Sequence, residues 1–428
     1  MPEQKNEVVT ARPQYYFIYM IVVLMFVEIL DTYTTIFPTV IPSKIIEEFL
    51  GTYPLNVATS IFAISVGIAT LGMYLVFFNQ FMADRVGRKI LLVFTVFGMG
   101  FSSLLLALST DIIQYTIFLF LLYIFFSSDM WVIYINEECA PDKRAFWTNI
   151  VLIGGVVGAL IVPIFRSIFI TDTISNWRGL TLFAILLGIP LGLLLLFTFK
   201  ETSKYQEIKA EKSLEQETTK LFKENIRTLF KADHRKPFLV VLIMSFIGGL
   251  NYLFVSLGES FIANSPNLTE SDVNIIVLTM SVAAVIGYFI TGIIADKYGR
   301  KPLIYGYSIL LPISILIAVI GTTLTENALI VVSLGAGLAN AAYWSLGVVI
   351  RLVTLEVIPT DARGTGSGLK SLTSALGITS GLFLSSVITL YFGLALAFVF
   401  YSLILLVNVP LVYLYLKETK GIDLSDIH

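Results

Sequence analysis

The sequence predicts an all-helical integral membrane protein with twelve transmembrane helices in two pseudo-symmetric bundles of six. Its 428 residues are 56% hydrophobic and only 14% charged, with a mean hydropathy of +0.85. A soluble domain carries about 25% charged residues, so this chain has too little charge to cover a water-facing surface. Apolar runs long enough to cross a bilayer recur twelve times, and three short motifs return in the second half of the chain.

Each predicted span supplies roughly the 20 apolar residues that a helix needs to cross the hydrocarbon core. The spans are 16–40, 57–82, 90–109, 112–136, 146–169, 178–200, 237–262, 272–295, 303–322, 327–353, 364–390 and 393–416. A polar stretch precedes the first span, which is too long for the core of a signal peptide. We therefore expect the first span to be retained.

The basic residues predict the orientation, because Lys and Arg accumulate in cytoplasmic loops. With the N-terminus inside, only Lys44, Arg166 and Arg178 of the 28 basic residues fall on the outer side. We expect a multi-pass protein of the cell membrane with both termini in the cytoplasm.

One long polar stretch, 201–236, interrupts the apolar series. Its apolar residues recur at roughly helical spacing among mixed charges, which predicts short amphipathic helices at the cytoplasmic surface. It divides the chain into an N-terminal bundle (1–200), a linker (201–236) and a C-terminal bundle (237–428).

Composition argues against several classes of function. The net charge of −2 does not suit a nucleic-acid-binding surface. Cys139 is the only cysteine, and His234 and His428 lie at polar ends of segments without neighbours that would complete a metal site. No ATP-binding motif is present. We expect no metal, no cofactor, no nucleic-acid partner and no enzymatic activity.

Three motifs occur once in each half and in the same order. ADRVGRKILL (83–92) returns as ADKYGRKPLI (295–304), EECAPDKRA (137–145) as LEVIPTDARG (355–364), and KETSKY (200–205) as KETKGI (417–422). The offsets are 212, 218 and 217 residues, which indicates two homologous halves.

In each copy of the first motif, an aspartate is followed by a turn glycine and by cations at the cytoplasmic end of a span. Such charges can form ion pairs that close the inner face and release when the helix groups separate; a loop that only carries positive-inside charge is the plainer alternative. The predicted cytoplasmic gate comprises Asp84, Arg85, Arg88, Glu138, Arg144, Asp296, Lys297, Arg300, Glu356 and Arg363.

These motif pairs resemble those of the major facilitator superfamily, and in particular its sugar-porter and metabolite:proton symporter branches. The first motif resembles G-x-L-A-D-R-x-G-R-K, and the second resembles E-x-x-P-x-x-x-R, which is complete as Glu356, Pro359 and Arg363. The resemblance covers essentially the whole chain. It implies two six-helix bundles with a central site that opens alternately to either side of the membrane.

Charged side chains inside a bilayer normally face a cavity or a partner, because each costs about 2.5–3.5 kcal/mol at mid-membrane. Glu28 and Asp31 lie one turn apart on one face of span 1. Two carboxylates in one low-dielectric cavity raise the pKa of at least one of them, which suits proton coupling. The string VEILDTY resembles the opening of metabolite:proton symporters, and we predict Asp31, with Glu28 and Asp129, as the proton-coupling residues. A structural carboxylate at span 1, and snorkelling or cation binding by Asp129, are the alternatives.

The segment IGGLNYLF (247–254) resembles the sugar-porter string Q-Q-x-x-G-I-N without its glutamines. The resemblance places Asn251 and Tyr252 at the substrate. Glu259, in the outer third of span 7, and the aromatic pair Tyr343 and Trp344 in span 10 complete the predicted substrate-binding set.

Two basic residues also lie within spans of the C-terminal half. Arg351 and Lys370 are close enough to the cytoplasmic ends of their spans to snorkel or to pair with Glu356. The alternative is that they bind a carboxylate or phosphate of the substrate.

The sequence as a whole predicts a monomeric secondary transporter in which protons drive symport of a small polar metabolite, either sugar-like or an organic acid. A proton-coupled exporter of organic cations is the alternative, because acidic residues outnumber basic ones inside the spans.

Overall fold

The computed structural model describes residues 13–75, 86–126, 130–139, 143–203, 206, 226–359 and 362–420. Within these residues, eleven helical segments are long and apolar enough to cross a membrane, and a shorter apolar helix, Ile112–Ile124, lies where the fourth span is predicted. The predicted all-helical membrane fold is confirmed.

The six spans of the N-terminal half follow the predicted order. Span 1 is the helix Gln14–Ile36 with a 3-10 turn, Phe37–Val40; span 2 begins with Leu55–Ala69 and the 3-10 turn Thr70–Gly72; span 3 is Arg88–Ala107; span 4 is described as Ile112–Ile124 and Met130–Glu138; span 5 is Arg144–Phe169; and span 6 is Gly179–Thr198. The bounds agree with the predicted ones to within a few residues wherever both ends of a span are described.

The C-terminal half also has six spans. Span 7 consists of Ala232–Leu250 and Tyr252–Ala263; span 8 is Glu270–Tyr298; span 9 is Lys301–Gly321; span 10 is Ala328–Val357; span 11 is Arg363–Phe392; and span 12 consists of Leu394–Ile404, the 3-10 turn Leu405–Val407 and Asn408–Tyr415. Most of the predicted linker lies outside the described residues.

Glycines place the first and fifth helices of each half in close contact. In span 5, a Cβ on Gly154 would lie 2.6 Å from the carbonyl oxygen of Met25 in span 1. In span 11, a Cβ on Gly377 would meet the carbonyl oxygen of Phe246 in span 7 even more closely. Gly154 and Gly377 are 223 residues apart, and Met25 and Phe246 are 221 apart. The internal repeat is therefore visible in helix packing as well as in the loop motifs.

We name the two faces of the molecule after the predicted topology: the outer face carries the connection 41–54 and the inner face carries the repeated loop motifs. The outer connection contains a short amphipathic helix, Pro42–Leu50, that the sequence analysis did not predict. Pro42 suits the first helical turn, and Ile45, Ile46 and Leu50 are buried in the hydrophobic core.

Candidate functional site

A buried arginine joins the two halves near the outer face. Arg166, in the last turn of span 5, is fully buried and donates from Nε to the carbonyl oxygen of Val40 at 2.7 Å. Its Nη2 forms ion pairs with Glu259 of span 7 at 2.6 Å and with Glu270 of span 8 at 3.4 Å. Nη1 donates to the amide oxygen of Asn274 in span 8. Arg166 of the N-terminal half is thus bound by three side chains of the C-terminal half.

The carboxylate of Glu259 also caps the short outer helix. It accepts hydrogen bonds from the backbone N–H of Ser43 at 2.9 Å and from the Ser43 hydroxyl at 2.7 Å. Ser43 lies in the first turn of Pro42–Leu50, where unpaired N–H groups and the helix dipole favour an anion. Glu259 is 2% exposed, so this contact between the halves is shielded from water.

Further polar contacts extend this outer barrier. Lys44 pairs with Glu270 at 2.5 Å, and Ser271 donates from its hydroxyl to Asp172 at 2.5 Å. Burial acts to lower the pKa of Lys44, but its bonds to Glu270 and Glu47 raise the pKa above its ordinary value, so Lys44 stays charged. We use the term outer barrier for Ser43, Lys44, Arg166, Asp172, Glu259, Glu270, Ser271 and Asn274.

The short outer helix is also fixed to its own half. Glu48 accepts hydrogen bonds from Arg178 at 2.8 Å and from the Trp177 indole at 2.6 Å. The bond to Arg178, aided by Trp177, holds the pKa of Glu48 below its ordinary value despite partial burial. The helix Pro42–Leu50 therefore has polar contacts with both halves: Glu48 bonds to the N-terminal half, and Ser43 bonds to Glu259 of the C-terminal half.

The two predicted proton-coupling carboxylates of span 1 lie near the middle of the membrane. Glu28 is 8% exposed and packs against span 5, where a Cβ on Gly155 would lie 2.8 Å from its Oε1 atom. Asp31 is half-buried one turn further out. Asp129, the third predicted member, lies outside the described residues.

A cluster of aromatic and amide side chains lies between the halves on the inner side of the outer barrier. Span 7 is interrupted at Asn251, which is 3% exposed and whose side-chain oxygen accepts no hydrogen bond from the described residues. The Tyr252 hydroxyl interacts with that of Tyr123 in span 4. The Tyr252 ring lies 6.2 Å from that of Tyr343, which contacts Trp344. The structure thus brings four predicted substrate-binding residues together, whereas Glu259 lies in the outer barrier.

At the inner face, matching ion-pair clusters occur in the two halves. In the N-terminal half, Arg88 pairs with Glu137 at 3.1 Å. In the C-terminal half, Arg300 pairs with Glu356 at 2.6 Å. The repeat alignment predicts Glu138 as the counterpart of Glu356, but the structure pairs Arg88 with the preceding glutamate.

The repeated KET motif contributes one helix-capping glutamate to each of these clusters. Glu201 accepts from the backbone N–H of Arg88 at 3.0 Å, and Glu418 accepts from that of Arg300 at 2.9 Å. Each carboxylate therefore caps the first turn of span 3 or span 9. Partial burial acts to raise the pKa of Glu418, but the hydrogen bonds that it accepts from four backbone N–H groups hold the pKa below its ordinary value.

The remaining members of the predicted gate have weaker or more local contacts. Asp296 lies 3.7 Å from Arg300, with its side chain 83% exposed, and the Lys297 ammonium lies over the Tyr298 ring. Glu138 accepts from Ser203 at 2.7 Å, and Arg144 donates to the carbonyl of Cys139 at 3.2 Å. Asp84, Arg85 and the side chain of Arg363 lie outside the described part of the chain.

The turn glycines of the repeated loop adopt the backbone conformation that the sequence predicts. Gly87 and Gly299 have φ angles of 113° and 98°, in the region that favours glycine. Gly87 directly precedes Arg88, the first residue of span 3, and Gly299 directly precedes Arg300, the N-cap of span 9.

The sequence profile of the Major Facilitator Superfamily matches residues 21–348 and 239–424. The chain belongs to this superfamily. It is therefore a multi-pass membrane transporter that acts on small molecules by alternating access, and not an enzyme. This agrees with the resemblance of the repeated motifs.

Several superfamily members are similar to this chain. "Putative niacin/nicotinamide transporter NiaP" of Bacillus subtilis is 23% identical over 360 residues, which cover 80% of this chain and 83% of that protein. A D-xylose-proton symporter has a TM-score of 0.77 at 14% identity, covering 95% of this chain and 99% of that one. An inward-facing bacterial homologue of the lysosomal transporter Spinster has a TM-score of 0.74 at 16% identity, covering 94% and 98%. These structures share the superfamily fold.

Sequence reasoning missed the buried ion pairs of Arg166 with Glu259 and Glu270. The predicted topology places Arg166 on the outer side and gives it no further role. The signal was present: Arg166 is the only cation in the apolar run that ends span 5, and Glu259 and Glu270 both lie near the outer face. Glu137, Glu201 and Glu418 were missed because charges next to a loop are usually solvated.

Proposed function

We propose that this superfamily member is a proton-coupled symporter of a small polar metabolite. The observation that carries the proposal is the combination of a closed outer barrier with carboxylates beneath it: Arg166 and Glu259 seal the outer face, and Glu28 and Asp31 lie mid-membrane. The names of similar proteins support a small polar substrate, since one is a D-xylose-proton symporter and another is named for niacin or nicotinamide.

In this proposal, the halves rock about the central site and the outer barrier opens in one state and closes in the other. Asp31, assisted by Glu28 and Asp129, takes up a proton from one side and releases it to the other. Asn251, Tyr252, Tyr343 and Trp344 contact the substrate, and the predicted gate residues, including Asp84, Arg85 and Arg363, close the inner face when the outer barrier opens. We propose that Glu259 contributes to the outer barrier and also lines the outer end of the substrate pathway.

The ion pair between Arg166 and Glu259 argues against the alternative function as an exporter of organic cations. That alternative relies on acidic cavity residues, chiefly Asp129 and Glu259. The Glu259 carboxylate is neutralised by Arg166 at 2.6 Å, and Asp129 lies outside the described residues.

The test is uptake by purified protein in proteoliposomes after an imposed pH difference, with xylose, nicotinate and nicotinamide as radiolabelled substrates. We expect at least one to accumulate against its gradient. Asp31→Asn should abolish this accumulation while leaving exchange of substrate between the two sides intact, because exchange needs no net proton movement.

Glu326→Gln provides the matched control, since it removes one exposed carboxylate from an outer loop. It should transport like the unaltered protein. Accumulation by Asp31→Asn at the rate of the control would contradict the coupling role of Asp31.

A further inference from the structure

An arginine that has no acidic partner among the described residues lies inside the membrane-spanning part of the C-terminal half. Arg351 is exposed, although it belongs to span 10, and it forms no ion pair or hydrogen bond with the residues that the structure describes. A guanidinium carries five donors in a fixed planar arrangement that matches a carboxylate. An unpaired cation at such a depth is costly unless it faces water or an anionic ligand.

The helix direction turns Arg351 towards the middle of the membrane. Side chains in a helix lean towards its N-terminus, and span 10 runs from the outer face to the inner face. Arg351 is six residues from the inner end of span 10. Its neighbour Tyr288 is ten residues from the inner end of span 8, or about 15 Å of helix. Snorkelling to the inner surface would point Arg351 away from this neighbour.

The space next to Arg351 lies between the two halves. Tyr288 is within electrostatic reach of both Arg351 and Glu28, which belong to opposite halves. Tyr288 is 39% exposed, so it borders open space next to both charges. One turn from Arg351, a Cβ on Gly347 would meet no atom within 4 Å. Span 10 therefore leaves open space one turn from Arg351, on the side towards which its side chain leans.

Aromatic rings connect this space to the central cluster. Tyr343 interacts with Tyr288 on one side and with Tyr252 on the other. Trp344 and Arg351 are seven residues apart and so lie on the same face of span 10. Rings of this kind stack on planar ligands, while their hydroxyl and indole groups supply hydrogen bonds.

We propose that Arg351 binds the carboxylate of a small aromatic acid, whose ring lies against Tyr288, Tyr343 and Trp344. This assignment rests on the proposed function and narrows its substrate to the class of aromatic monocarboxylates.

The test is equilibrium binding of benzoate and benzamide to the purified full-length protein, with intrinsic tryptophan fluorescence as the readout. The two ligands have nearly the same shape and differ in charge. We expect benzoate to bind roughly tenfold or more tightly than benzamide, as charge-assisted hydrogen bonds allow. Arg351→Gln should reduce benzoate affinity to that of benzamide and leave benzamide affinity unchanged.

Two variants control this experiment. Lys417→Gln removes one exposed positive charge at the inner face and should preserve the preference for benzoate. Arg351→Lys keeps the charge but not the planar fork, and should retain part of the preference even if Arg351→Gln does not fold.

Equal binding of benzoate and benzamide, no binding of either ligand, or an unchanged preference in Arg351→Gln would each overturn the assignment. These outcomes are distinct from failure of the proposed function, because binding is measured without a proton gradient. Benzoate binding without pH-driven uptake would contradict proton coupling and leave the assignment of Arg351 intact.

Discussion

Arg166 and Arg351 both lie within spans, but the first is buried and the second is exposed. Arg166 is fully buried, and its guanidinium is bound by a backbone carbonyl, two carboxylates and an amide. Arg351 is exposed and has no such partners among the described residues. A buried cation is tolerated only when its donors are satisfied, which suits a structural contact, whereas a solvated cation can exchange water for a ligand. This difference is why we assign Arg166 to the outer barrier and Arg351 to substrate binding.

Removing one partner of the Arg166–Glu259 pair should open the outer barrier. In Arg166→Met the Glu259 carboxylate is left buried without its cation, which costs about 3–5 kcal/mol in the closed state. We expect a cysteine at Ser256, one turn inward from Glu259, to react at least tenfold faster with an impermeant maleimide added from the outside. The measurement is made in a Cys139→Ser background, so that the introduced thiol is the only one.

The double variant Arg166→Met with Glu259→Leu tests whether the effect belongs to the pair. Replacing both charges by apolar side chains removes the buried, unpaired group, so thermal stability should recover towards that of the unaltered protein. If the single and double variants were equally destabilised and equally labelled, the pair would not be what holds the barrier closed.

At the scale of helices, the apolar runs predict ten of the twelve spans almost completely, because each must satisfy its backbone hydrogen bonds across the bilayer core. The sequence analysis placed spans 2 and 4 as well, but only parts of them are described. It missed the helix Pro42–Leu50, whose apolar residues recur at helical spacing but over only nine residues. It also missed the break at Asn251, because an asparagine after two glycines can equally continue a buried helix. The sequence therefore grouped Asn251 and Tyr252 with Tyr343 and Trp344 without indicating the interruption of span 7 at Asn251.

The glycine contacts between the first and fifth spans of each half should be essential for packing. Gly154→Ala and Gly377→Ala each push a methyl group against the backbone of a neighbouring helix, which cannot rotate away as a flexible side chain can. We expect each substitution to destabilise the protein by roughly 1–3 kcal/mol. The measurement is the thermal unfolding midpoint in detergent.

Gly306→Ala is the control for these substitutions. Gly306 also lies within a helix, but a Cβ there would meet no atom within 4 Å. Since alanine favours helix by up to about 1 kcal/mol over glycine, this variant should be at least as stable as the unaltered protein. Destabilisation of Gly306→Ala to the same extent as Gly154→Ala would show that helix packing is not the cause.

At the scale of the whole molecule, the ion pairs of the outer face and those of the inner face connect different parts of the chain. In the described part of the chain, the ion pairs between the halves, Arg166 with Glu259 and Glu270 and Lys44 with Glu270, all lie at the outer face. The pairs at the inner face, Arg88–Glu137 and Arg300–Glu356, each join spans of one half. The sequence repeat predicts the inner clusters, because both halves carry the same motifs. It cannot predict the outer barrier, because the residues on its two sides are not repeats of one another.

Alternating access requires the outer barrier to open once in each transport cycle, so a covalent bond across it should stop transport. Asp172 of the N-terminal half and Ser271 of the C-terminal half already meet at 2.5 Å between side-chain oxygens. In a Cys139→Ser background, oxidised Asp172→Cys/Ser271→Cys protein should lose uptake almost completely, and a reducing agent should restore it. The pair Ser308→Cys/Asn408→Cys links spans 9 and 12 within one half, where the side chains lie 3.4 Å apart, and its oxidation should leave transport intact. Undiminished uptake by the oxidised cross-barrier pair would mean that this interface does not separate during transport, and that the substrate leaves by movement within a half rather than by rocking of the two halves.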